Sequence, residues 1–93
     1  MIDVRRQSHD DPAQFQVIIR QADGESRHRV TMDGAACQRL GAPAERCIQA
    51  AFRFLLDREP RGAILSRFDI SVIGNYFPEF EREWPRYLSD PRI

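Results

Sequence analysis

The sequence contains no lysine; all fourteen of its basic residues are arginine. An arginine-only cation set suits forked contacts with phosphate or carboxylate, although a GC-rich genome produces the same bias. The fourteen cations are matched by fourteen acids, and neither sign forms a block. The basic footprint typical of a nucleic-acid binder is therefore missing. No apolar run approaches the roughly 18 residues that span a bilayer, so no contact with a membrane is expected. The opening MIDVRRQSHDD lacks the apolar core of a signal peptide, and a cytoplasmic location is the expectation. GxGxxG, P-loop and HExxH motifs are all absent. Nothing therefore announces a dinucleotide, a nucleotide phosphate or a zinc centre. No cofactor, metal or catalytic residue is assigned, and an enzyme is not expected.

Cysteine is scarce as well. Cys37 and Cys47 stand ten residues apart, which fits no CxxC metal or redox pattern. Both fall on apolar faces and read as free thiols lining the core; the alternative is a disulfide or a reactive thiol. Gly/Ser linkers, repeats and low-complexity segments are also lacking, and 93 residues make one domain. A chain of this size buries only about 60–65% of its unfolded surface, so each large side chain counts.

The first third reads as strands. In QFQVIIRQ, Phe15, Val17 and Ile19 alternate with Gln14, Gln16, Ile18 and Arg20, of which only Ile18 is apolar. Asp23-Gly24 follows, and this dipeptide favours a two-residue hairpin turn. ESRHRVTM would return as the second strand. A turn at Asp23-Gly24 sets Ile19 against His28, Val17 against Val30 and Phe15 against Met32. It also sets Arg20 against Arg27 and Ile18 against Arg29. MIDVRRQ is a candidate third strand, with Ile2 and Val4 inward.

The rest reads as helix. Asp33 is a candidate cap for GAACQRL, with Gly41 at its end. Pro43 suits the first turn of PAERCIQAAFRFLLDRE. Polar residues recur there at Glu45, Gln49, Arg53 and Asp57, leaving an apolar arc too wide for a surface helix. This helix should lie between the sheet and the C-terminal segment. Ser66 or Asp69 would cap ISVIGNYF, and Pro78 would start PEFEREW. Pro85 should break or kink that last helix. The expected fold is α+β: an antiparallel hairpin or three-stranded meander, two helices, and a short helical C-terminal cap packed on one sheet face.

The run AAFRFLLDREP, followed by ILSRFDISVIGNYFPEFE, resembles a family of small uncharacterised bacterial proteins. The resemblance implies a compact α+β cytosolic protein and carries over no catalytic residue.

Candidate sites follow from what the fold leaves over. Residues 66–88 hold six of the nine aromatic residues. Phe68, Phe77 and Phe80 should cover the second side of the central helix. Tyr76, Trp84, Arg86 and Tyr87 are the expected partner-binding set, because Tyr, Trp and Arg are enriched at interface anchors. The partner would be another protein or a second copy of this chain. The alternative is nucleic acid on an outer sheet face carrying Arg5, Arg20, Arg27 and Arg29. His28 points to the apolar side, with no nucleophile evident beside it. His9-Asp10-Asp11 are hard-metal ligand types in a turn. Glu79, Glu81 and Glu83 complement a helix dipole rather than pair for catalysis.

Overall fold

A computed structural model describes residues 1–89. The architecture is α+β, with the strands first and the helices after them. Strands β1 (Ile2–Arg6), β2 (Ala13–Gln21), β3 (Gly24–Met32) and β4 (Arg67–Asp69) form one sheet in the order β1-β2-β3-β4. The first three make an antiparallel meander, and β4 joins β3 in parallel. Helices α1 (Gly34–Leu40) and α2 (Ala44–Leu56) fill the span between β3 and β4. A 3₁₀ turn (Ile70–Val72), α3 (Ile73–Tyr76) and α4 (Phe80–Leu88) complete the chain. No described helix is long and apolar enough to cross a membrane.

The inner face of the sheet follows the expected alternation. Phe15, Val17, Ile19, Val30 and Met32 are all buried, with Ile2 and Val4 packed against them. The register differs from expectation by two residues. Gln21 pairs with Gly24, so Ala22 and Asp23 form the loop; Val17 faces His28 and Phe15 faces Val30. A primed turn at Asp23-Gly24, of either type, would need positive φ at Asp23. Among the described residues only Gly24 and Gly41 have positive φ, so Asp23 does not take that role. The glycine instead closes the turn at its last position, a common place for it in ordinary turns. A shift of two keeps every side chain on its own face. It does change the cross-strand partners: Arg20 now faces Glu25, not Arg27.

Local chemistry accounts for the helix ends. The Asp33 carboxylate accepts from Ala36 N at 2.8 Å. Gly41 closes α1 in the left-handed region, φ 67°. Helix α2 is sandwiched as its apolar arc requires. Phe52 meets His28 and Phe68 on the sheet side, at ring separations of 5.5 and 5.8 Å. Phe54 meets Phe77, Phe80 and Tyr87 on the other side, at 5.9, 5.0 and 5.8 Å.

Helix α4 runs through Pro85 rather than stopping there. The carbonyl that loses its partner is that of Glu81, which is exposed to solvent, so the loss is small there. Strand β4 was not anticipated. Three residues are too few to show alternation. Its place is fixed by the bond from Arg29 N to Ser66 O and by a Thr31 hydroxyl bond to Asp69.

Candidate functional site

The continuous helix changes the fate of the C-terminal aromatics. Trp84 is 1% exposed, not a surface anchor. It stacks on Phe80 at 4.7 Å, and its indole N–H donates to Cys47 O at 2.9 Å. Tyr87 is half-buried; its hydroxyl donates to Asp57 at 2.7 Å and accepts from Arg58 at 3.3 Å. Arg58 lies over the Phe54 ring at 3.7 Å and reaches Glu79 at 3.1 Å. Trp84 and Tyr87 thus fasten α4 to α2, and Trp84 is not exposed to a partner as expected. Arg86 is exposed and pairs with Glu83 at 3.4 Å. Tyr76 alone of the aromatic set stands clear, 67% exposed.

Tyr76 borders an apolar groove of about 270 Å³. Four consecutive segments build it: Leu55 of α2 with Glu59 just beyond its end, then Ala63, Ile64 and Leu65, then Phe68 from β4, and Val72, Ile73 and Phe77 with Tyr76. Leu65 on the rim is 48% exposed; with Met1 and Tyr76 it completes the large exposed apolar residues among those described. In RGAILSRF, two adjacent apolar residues follow a Pro/Gly break, and Ile64 takes the inward place. That adjacency was the sequence signal for an exposed Leu65. Glu59 lies in the groove, and burial pushes its carboxyl above the usual range. No ion pair reaches Glu59 among the described residues. Small-molecule pockets run from roughly 300 to 1,000 Å³. This groove lies just below that range and suits one or two large side chains.

The outer sheet face carries the expected arginines, but most are neutralised in place. Asp3 pairs with Arg5 at 3.4 Å and Arg20 at 3.9 Å; Glu25 pairs with Arg20 at 3.6 Å and Arg27 at 3.4 Å. Ile18, also on this face, is only 7% exposed beneath them. The repulsion expected between Arg20 and Arg27 is relieved by the two-residue shift. Arg29 instead sits directly across from Arg67, which the sequence reading did not include. Charges of both signs alternate over the face, which weakens its pull on phosphates.

His28 proves more organised than expected. It is buried, and its Nδ1 lies 2.7 Å from Leu65 O. A carbonyl only accepts, so Nδ1 carries the proton, and Nε2 accepts from the Ser26 hydroxyl at 2.8 Å. A hydroxyl therefore does stand beside this histidine, correcting the sequence reading. Residues two apart share a strand face, and that was the available signal. Neither Ser26 nor His28 lines the groove or either of two further surface depressions among the described residues. The arrangement satisfies a buried ring and ties the Leu65 loop to β3.

Burial lowers the His28 pKa below 6.5; Arg61 adds to this, and the bond to Leu65 opposes it. The native state thus resists a proton that the unfolded chain accepts. Stability contributed by neutral His28 is complete above about pH 6.5. It is lost as pH falls from there toward the native pKa. Urea midpoints of the wild type and His28→Gln across this window should show a slope in the former that the latter lacks. Equal slopes would place His28 in solvent.

His9, Asp10 and Asp11 line a second depression with Asp33 and Cys37. Asp11 accepts from Gly34 N at 3.0 Å. Among the described residues, no group of three or more metal-ligand side chains is placed to hold an ion. No protein-family model, curated protein or solved structure matches this chain.

Proposed function

We propose that this protein is a non-enzymatic interaction module. Its groove takes a short segment of a partner polypeptide in which a large apolar side chain neighbours an arginine or lysine. The observation that carries this reading is an apolar groove whose rim exposes Leu65 and Tyr76 and whose lining includes the partly desolvated Glu59 carboxyl. Burying a carboxylate without a cation costs stability, and a partner's cation would recover that cost. Tyr76 supplies a large rigid contact with a polar tip, the kind of side chain that anchors interfaces.

Selection of a random-peptide display library on the immobilised full chain tests this. Enriched peptides should pair a bulky apolar residue with a nearby basic one. Glu59→Gln should remove the basic requirement and keep the apolar one. Peptides that bind equally well to Tyr76→Ala would sink the reading, as would no enrichment at all. Light scattering of the protein alone covers self-association: a dimer that Tyr76→Ala dissociates would make the partner a second copy.

A further inference from the structure

We propose that Cys37 and Cys47 are a modification site, a dithiol that closes to an intramolecular disulfide on reaction with a hydroperoxide. Cys37 lies on α1 and Cys47 on α2, and the Gly41–Pro43 turn folds one helix back toward the other. Both sulfurs reach the same acceptor, Ala42 O, at 3.4 and 3.6 Å. A shared acceptor holds the two sulfurs close to one another. Rotation about the side-chain bonds is then the movement that brings them to bonding distance.

The two are not equivalent. Cys47 is buried, while Cys37 is partly exposed and lines the second surface depression. Oxidant from solvent therefore meets Cys37 first. Burial, with Cys37 beside it, pushes the Cys47 thiol up to about 12, so Cys47 does not start the chemistry. The Cys37 thiolate attacks the terminal oxygen of the hydroperoxide. An S–O bond forms, the O–O bond breaks, and the departing oxygen takes a proton to leave as alcohol, or as water from hydrogen peroxide. The Cys47 sulfur then displaces the sulfenic oxygen, giving up its proton. That oxygen leaves as water, and the S–S bond forms. Two thiols are oxidised and one hydroperoxide is reduced, with no further reactant.

The product would staple α1, which has no buried residue of its own, to the central helix. The test is treatment of the reduced full-length protein with one equivalent of hydrogen peroxide. Maleimide labelling after denaturation should fall from both thiols to none. The intact mass should drop by two hydrogens, and peptide mapping should join Cys37 to Cys47. The urea midpoint should rise and return when a dithiol reductant is added. Cys47→Ser should stop at a sulfenic acid on Cys37, trapped by a dione reagent; Cys37→Ser should leave Cys47 unmodified. Unchanged labelling while added glutathione is consumed would overturn the proposal. So would a disulfide found only between chains, or equal reactivity of the two single-cysteine variants.

Discussion

Trp84→Ala should destabilise the domain by about 3–5 kcal/mol, the usual cost of deleting a buried tryptophan. The indole is wholly buried, stacked on Phe80, and bonded to the carbonyl of Cys47. Truncation removes apolar contact, opens a cavity between α2 and α4, and takes from that carbonyl the second hydrogen bond it accepts beside its intrahelical one. Natural domains have a margin of only about 5–15 kcal/mol, and one of 93 residues belongs toward the lower end of that range. Chemical unfolding followed by circular dichroism measures the loss directly. Trp84→Phe separates the two components: it keeps most of the packing and removes only the indole's hydrogen bond, for about 0.5–1.5 kcal/mol. A loss below about 1 kcal/mol for the alanine variant would put the indole at the surface.

The same residue shows how far the sequence could be read. Phe80 and Trp84 are four apart, a spacing that puts them on one helix face, and the core does take both. The expectation of exposure rested on residue type, Tyr and Trp near arginines being common interface anchors, and on a break at Pro85. That argument weighs residue type and one lost hydrogen bond too heavily against the burial of a tryptophan. The hairpin has a similar history. Alternation alone settles which face of β2 and β3 is inner, and a shift of two leaves it intact. The partners depend on backbone angles at Ala22, Asp23 and Gly24, which composition does not report. Strand β4 escapes for a different reason, since its pairing with β3 spans a long stretch of intervening chain. Groove and dithiol are likewise products of tertiary approach. Cys37 and Cys47 match no spacing motif because a turn at Ala42 brings them together. Glu59 looks like an ordinary helix-end acid until Leu55, Ile64 and Phe68 surround it.

Tyr76→Ala should do the opposite of Trp84→Ala. The ring is 67% exposed, so its removal should change stability by no more than about 0.5 kcal/mol. If it anchors the partner segment, affinity for a peptide selected on the groove should fall by about 2 kcal/mol, roughly 30-fold. Titration calorimetry or fluorescence polarisation with one labelled peptide gives the number. Leu65→Ser, on the same rim, should weaken the same peptide in the same direction. Arg86→Ala should leave it unchanged, because Arg86 pairs with Glu83 and lines no part of the groove. Glu59→Gln discriminates further: its effect should vanish for a peptide whose basic residue has been replaced, whereas that of Tyr76→Ala should persist. The two core and surface aromatics therefore divide cleanly by assay, one read in urea and the other in peptide affinity. Were Tyr76→Ala to lower stability by several kcal/mol, the ring would belong to the core and the groove would lose its rim. Were it to leave every selected peptide bound as tightly as before, partner recognition would have to be sought elsewhere on the molecule.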